Sequence, residues 1–426
     1  MNTLLQELAW RGLLQDHTPE LDTLVQKEKI GAYIGFDPTA NSLHIGHLVA
    51  IILFKHLQNY GHRPIALVGG ATGMIGDPSG KSEERKFLSE QDLNNNVQAI
   101  GNQLKKYLNF EGDNAATIVN NYDWLGAMSL VEFLREAGKH ITVNYMAAKE
   151  SVKKRMETGI SFTEFSYQLL QGFDFYHLYT KHNCKVQVGG ADQWGNITTG
   201  LELIRRKSGG DGQAFTFPLI TKADGTKFGK SESGTVWLDA ALTSPYQFYQ
   251  FWLNVGDVEA AKYISLFTFL DQITCTNLIA EHAAAPHERA LQKRLAQEIT
   301  TFVHGEAGYA QVVQTTELLF GQSTLQDFKQ LDSATFETIF QGIPTFEIEK
   351  DAITNSIDII SLLGEKTKLF SSKGEARKLI QGGGLLLNKE KVTVDQQISS
   401  SDLVLDTYII IQKGKRNYFL LKTISI

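Results

Sequence analysis

Through the first 220 residues or so, short apolar runs alternate with stretches in which apolar residues recur every three or four positions. Runs this short read as strands buried on both faces, and the stretches between them as covering helices. Five strands are expected, at 32–36, 65–68, 117–119, 186–188 and 215–220. Ser129 with Glu132, and Ser161 with Glu164, have the spacing of capping boxes and predict two helix starts. The pattern predicts an α/β fold, a doubly wound, Rossmann-like parallel sheet whose ligand sits at the carboxyl ends of the strands. From about 245 to 340 it turns helical and aromatic, as in Tyr246-Gln247-Phe248-Tyr249-Gln250-Phe251-Trp252, and then more polar. Such an aromatic run is more often core than binding surface. After Pro344 the pattern weakens, and the end of the chain reads as a small mixed unit with a helix near 373–380, a Gly382-Gly383-Gly384 break and short strands such as 385–388. The expected organisation is therefore an α/β domain over 1–240, a helical domain over 241–345, a linker at 346–352 and a small α+β domain over 353–426.

Composition narrows the class. Of 426 residues 42% are hydrophobic, enough for a large core, and no apolar run reaches the length of a membrane span. The amino-terminal stretch with Glu7, Arg11 and Asp16 reads as an amphipathic helix rather than a signal peptide, and two cysteines cannot make a disulfide framework. A cytoplasmic enzyme without a membrane partner is expected. The net charge of −6 hides an asymmetry, because residues 360–426 carry 11 Lys or Arg against 6 Asp or Glu. A basic tail on an acidic body suggests that only part of the surface meets a polyanion.

The chemistry concentrates at Ser42-Leu43-His44-Ile45-Gly46-His47-Leu48, which follows the first strand and the polar turn Asp37-Pro38-Thr39-Ala40-Asn41 and leads into a helix. Two histidines three residues apart share a helix face, and a helix amino terminus with unpaired N–H groups suits polyphosphate. A metal site or two surface histidines are the rival readings. A metal needs a third ligand, and Cys184 and Cys275 lie far off without zinc-type spacing.

Two glycine-rich turns invite a P-loop reading, Gly76-Asp77-Pro78-Ser79-Gly80-Lys81-Ser82 and Gly225-Thr226-Lys227-Phe228-Gly229-Lys230-Ser231. Each leaves three residues before its Gly-Lys pair where that motif needs four, so neither is one. Lys81, Arg85, Lys227 and Lys230 still place positive charge on loops able to close over a polyphosphate, although solvated turns are the bland alternative. Tyr167, Gln171 and Asp174 form one stripe of an otherwise apolar helix with no Lys or Glu in it, which favours a pocket wall over a solvent face. Tyr33 lies in a buried strand and needs a partner for its hydroxyl. Gly189-Gly190-Ala191-Asp192-Gln193-Trp194 closes another strand, where an Asp can accept from a ribose hydroxyl.

Together these residues resemble class I aminoacyl-tRNA synthetases, and among them the bacterial tyrosyl-tRNA synthetases. His44-Ile45-Gly46-His47 and Lys227-Phe228-Gly229-Lys230-Ser231 match the two signatures in order. Tyr33-Ile34-Gly35-Phe36-Asp37-Pro38-Thr39, Ser161-Phe162-Thr163-Glu164-Phe165-Ser166-Tyr167 and the segment from Gly189 to Asn196 extend the likeness through the first 250 residues or so. The resemblance implies that His44, His47 and Thr39 stabilise the phosphates of ATP, and that Lys81, Arg85, Lys227 and Lys230 hold the departing pyrophosphate. Gly35, Asp37, Gly46, Gly190 and Asp192 would line the nucleotide, with Asp192 on the ribose. Asp77, Tyr167 and Gln171 would hold the amino group of tyrosine, Gln193 would lie close to the amino acid, and Tyr33 with Asp174 would meet its phenol. ATP with Mg²⁺, tRNA(Tyr) and a homodimer follow from the same likeness, with no protein-bound metal. Residues 353–426 resemble an S4-type RNA-binding domain, with Lys373, Arg377 and Lys378 as candidate tRNA contacts, and their removal is expected to spare amino-acid activation. The tryptophan synthetases share the fold and signatures, and an RNA-binding protein with a retired catalytic domain is a second rival; Tyr33 with Asp174 speaks for a phenol, and the intact signatures for activity.

Overall fold

The computed structural model describes residues 3–79, 88–221, 228–231, 234–321, 323–414 and 417–424. All five expected strands form: β1 Gly31–Phe36, β2 Arg63–Val68, β3 Thr117–Asn120, β4 Cys184–Gly190 and β5 Gln213–Phe217. The last stops short of residue 220 because Pro218 has no N–H for the ladder. The strands are all parallel, in the order β3-β2-β1-β4-β5. The chain thus winds outward from β1 to β3, then returns to the other side of β1 and winds outward again. The carboxyl ends of β1 and β4 diverge at this reversal, where a doubly wound sheet opens a crevice.

Three helices shape that crevice: α1 Ile45–Asn59, α2 Phe162–His182 and α3 Trp194–Ser208. Both expected caps form, with Ser129 accepting from the Glu132 N–H and Ser161 from the Glu164 N–H. The Glu164 carboxylate is held by the Arg155 guanidinium through two bonds of 3.0 and 2.8 Å, a buried pairing that the capping pattern does not reveal.

The chain divides into two compact units, residues 1–242 with 251–303 and residues 243–250 with 304–426. The helical stretch 241–345 is therefore shared between them. In the second unit, residues expected as a linker are ordered: Thr345–Glu349 is a strand and Lys350–Thr354 a helix. The strand pairs in parallel with Asn417–Ile424 at the far end of the chain, a partner that local pattern cannot show. The sheet of this unit is buried on both faces, since Ile409 and Ile411 enter one apolar cluster while Tyr408 and Ile410 enter another. That second cluster is completed by Leu319, Phe328, Phe336, Ile339 and Phe340, and the Lys389 ammonium and Tyr418 hydroxyl both donate to the Leu319 carbonyl.

This packing changes what a truncation does. A chain ending at residue 352 uncovers the faces of those five side chains that meet the sheet, at a cost for each below the about 1.5–3 kcal/mol of full exposure, because Phe328, Phe336 and Phe340 still pack on one another. We expect it to bind a hydrophobic dye and to self-associate, even if amino-acid activation survives in the first unit. Dye fluorescence equal to that of the full chain would show that the helices 304–343 need no such cover.

Candidate active site

The two histidines are built into the start of α1. His44 is its N-cap, and its Nδ1 accepts from the Gly46 N–H at 3.0 Å, while the His44 N–H donates to His47 Nδ1 at 3.2 Å. A backbone N–H can only donate, so both Nδ1 atoms carry lone pairs and in the neutral rings the proton sits on Nε2. Each neutral ring therefore carries its N–H on Nε2, a donor of the kind a phosphate oxygen accepts from. The rings lie 4.0 Å apart between centroids. Gly46 is required for this packing, because a Cβ there would sit 2.7 Å from His44 Cε1.

The second signature reaches the first directly. The Ile45 N–H donates to the Val236 carbonyl, the Leu238 N–H to the Leu43 carbonyl, and the Val236 N–H to the Gly229 carbonyl. A short hairpin, Lys230–Ser231 with Gly234–Thr235, is thereby hooked beside His44. Gly229 has φ 100°, and a Cβ on it would lie 3.4 Å from Ile45. Phe228 is buried among Phe251, Trp252, Tyr263 and Phe267, with centroids 5.2 to 5.9 Å away. Of the aromatic run, Phe248 and Trp252 are buried and the rest half-buried, and Phe251 and Trp252 pack on the signature loop. Lys81, Arg85 and Lys227 lie outside the described residues, and of Lys230 only the backbone is described.

At the deep end, Asp174 is buried and each of its oxygens is held: Trp124 Nε1 donates to Oδ1 at 2.8 Å and Asn121 Nδ2 to Oδ2 at 3.0 Å. Burial nonetheless pushes its carboxyl up to about 7, against the pull of these two donors. Tyr33 is 2% exposed, and its hydroxyl has no hydrogen-bond partner among the described residues. Burial and the Asp174 charge hold that phenol well above the usual range, so it stays protonated. A buried hydroxyl without a partner costs about 1–3 kcal/mol and marks a place where a polar ligand atom is wanted.

Between the deep end and the histidines lies a polar chain. Asn121 also donates to Thr72 Oγ1, Thr72 donates to Asp37 Oδ1, and the Tyr167 hydroxyl donates to Asp37 Oδ2 at 2.9 Å. Tyr167 is thus engaged with the turn after β1, which the spacing of the α2 stripe does not reveal. Gln193 donates to Asp77 at 2.7 Å, and Asn196 bridges Asp77, Gln171, Ser79 and the Gln193 carbonyl oxygen. Asp192 follows β4 and lies over Gly190, its Oδ1 2.7 Å from where a Cβ on that glycine would be. Gly35 and Thr39 are exposed at the mouth, and the Thr39 N–H donates to the Asp37 carbonyl. Lys373, Arg377 and Lys378 belong to the second unit, all exposed on the helix Lys373–Gln381.

The first-unit residues that are described converge on the carboxyl ends of β1 and β4. Sequence reasoning missed Thr72, Asn121 and Trp124. Asn120-Asn121 is a polar pair at the carboxyl end of β3, a signal of the same kind as Asp192 after β4. Trp124, in a four-residue helix, carries no comparable signal.

Comparison with known proteins agrees with this geometry. The family described as "tRNA synthetases class I (W and Y)" matches residues 25–321, and the "Tyrosine--tRNA ligase SYY-like C-terminal domain" matches residues 335–421. The tyrosine–tRNA ligase of Bacteroides fragilis is 55% identical over 424 residues, covering 98% of this chain and 99% of the relative. That of Flavobacterium johnsoniae is 54% identical over 431 residues, covering both chains fully. Among solved structures, a C-terminally truncated mitochondrial tyrosyl-tRNA synthetase of Aspergillus nidulans superposes with a TM-score of 0.68 at 30% identity, over 75% of this chain and 95% of that one. With likeness running the length of the chain, this protein belongs to the class I aminoacyl-tRNA synthetases, in their tyrosine–tRNA ligase branch.

Proposed function

We propose that the crevice at the reversal of the sheet activates tyrosine with ATP and then passes the tyrosyl group to the 3′ end of tRNA(Tyr). The observation that carries this reading is the buried Tyr33 hydroxyl, without a partner among the described residues and within the electrostatic reach of the Asp174 carboxylate at the deep end. A tyrosine phenol donates to Asp174 and accepts from Tyr33, satisfying both at once. An indole has no hydroxyl and leaves the Tyr33 donor unpaired. Tyrosine-dependent exchange of pyrophosphate into ATP tests the reading. Exchange with tryptophan and none with tyrosine would overturn the substrate, and none with any amino acid would overturn the activity.

The reaction needs no protein nucleophile, because the tyrosine carboxylate is already anionic. An oxygen of that carboxylate bonds to the α-phosphorus as the bond to pyrophosphate breaks, and charge builds on the phosphate oxygens. His44 and His47 donate through Nε2, Thr39 adds a hydroxyl, and Lys81, Arg85, Lys227 and Lys230 take the pyrophosphate charge. Asp77 and Gln171, gathered around Asn196, receive the ammonium group of the substrate, with Gln193 beside the amino acid. Tyr167 reaches that group from its place on Asp37. Gly35, Asp37, Gly46, Gly190 and Asp192 line the nucleotide, the last on the ribose. Mg²⁺ accompanies ATP as counter-ion to its phosphates; among the described residues no group of three or more His, Cys, Asp or Glu side chains gathers as a metal site.

Residues 1–240 act as the catalytic domain, the following helices contribute to anticodon recognition, and Lys373, Arg377 and Lys378 meet tRNA phosphates, so that charging weakens as salt rises. The setting is cytoplasmic, which suits two buried, unpaired cysteines. Among the described residues no helix is long and apolar enough to cross a membrane.

The homodimer implied by family likeness has physical support. Helices that pack on the cluster of Ala137, Ile141, Met146, Leu169 and Phe173 turn Leu130, Val131, Val143 and Phe162 outward, Phe162 being 76% exposed. Exposed large apolar side chains on elements that share one core cluster are candidates for an association surface. Phe162 is the first residue of α2, where Asp is favoured by the helix dipole, so Phe162→Asp tests the interface without threatening the fold. We expect light scattering to report twice the chain mass for the unsubstituted protein and a single chain for the variant; a dimer of unchanged stability in the variant would refute this surface.

A further inference from the structure

Trp124 holds one oxygen of Asp174, and its own ring is held in turn. His177 stacks on Trp124 with ring centroids 4.4 Å apart and planes 11° from parallel. His177 lies three residues after Asp174 on α2, so the two side chains share a face of one helix. The Trp124 ring therefore rests on His177, one turn along α2, while its Nε1 reaches back to Asp174. An indole can swing about its two side-chain torsions, and a flat ring lying against it confines that swing to one plane.

From this geometry we propose that His177 is a positioning residue for tyrosine selection: its stack on Trp124 aims the indole N–H at Asp174 and so fixes the carboxylate that receives the substrate phenol. The inference rests on the reading of Asp174 as the phenol acceptor. With Trp124 on Oδ1 and Asn121 on Oδ2, the plane of the carboxylate is set and its remaining lone pairs have fixed directions. Loss of the Trp124 donor lets the carboxylate turn and removes one of the two bonds that favour its ionised form. The effect falls on the phenol, which Asp174 contacts, and spares ATP, which binds at the other end of the crevice.

Pyrophosphate exchange with three variants tests this. His177→Ala removes the shelf, His177→Leu refills the volume without a flat face, and His177→Phe restores one. The Ala and Leu variants are expected to raise KM for tyrosine about tenfold and lower the preference for tyrosine over phenylalanine by a similar factor, with KM for ATP unchanged. His177→Phe should lie within about threefold of the unsubstituted enzyme, as stacking rather than imidazole chemistry is required. The inference is overturned if His177→Ala leaves KM for tyrosine unchanged, if ATP is affected equally, or if His177→Phe is no better than His177→Leu. Asp174→Asn run in parallel separates the two levels: a normal tyrosine KM there refutes the phenol assignment itself, whereas a raised one beside a silent His177→Ala refutes only the role of His177.

Discussion

Replacing His44 and His47 together is expected to slow formation of tyrosyl-adenylate by about 10³-fold, the range found when preorganised donors to a developing oxyanion are lost. Both Nδ1 atoms accept backbone N–H bonds, so both rings are held before any substrate arrives, and on the proposed role they need not reorganise during reaction. Their bonds strengthen as charge gathers on the phosphates, so the loss falls on the rate and leaves tyrosine binding nearly intact. His44 also caps α1, and Ala there would cost about 1 kcal/mol of helix stability. Asn at position 44 keeps a capping oxygen, so His44→Asn with His47→Ala is the cleaner pair. Single-turnover adenylation measures the effect, and a rate within tenfold of the unsubstituted enzyme would remove the histidines from the transition state.

The second large effect concerns Asp174. Asp174→Ala should lower kcat/KM for tyrosine by about 10²-fold or more while KM for ATP changes little, because the phenol loses its acceptor and Tyr33 its neighbouring charge. Equal losses for both substrates would sink the phenol assignment. Acidity gives a second handle. With the carboxyl pushed up to about 7, kcat/KM for tyrosine should fall as pH drops below that value, since the protonated acid no longer offers a charged acceptor. Stability runs the other way. A carboxyl raised on folding contributes stability that is full below the unfolded carboxylate range and lost as pH rises through about 7. Acidification within that window therefore stabilises the free enzyme through this group while weakening its use of tyrosine. Asp174→Asn should abolish both pH effects, and a kcat/KM profile that keeps its acid limb in that variant would assign the titration elsewhere.

Much of this protein follows from sequence alone. Five apolar runs determined the five strands to within a few residues, because strands of a parallel sheet are buried on both faces and leave a continuous apolar trace. The stripe of Tyr167, Gln171 and Asp174 and the glycines after β4 could be read because local geometry sets which residues share a helix face or close a strand, whereas the two signatures were legible through family resemblance. Tertiary structure decided the rest. The order β3-β2-β1-β4-β5 brings Tyr33 and Asp192 to one crevice; Val236 and Leu238 hook the lysine loop onto Leu43 and Ile45. Trp124 reaches Asp174 across 50 residues, and Thr345–Glu349 is a strand because Asn417–Ile424 lies beside it. Local sequence encodes periodicity and capping. It does not encode which distant donor fills a buried lone pair, and the deep end of this site is made of such pairings.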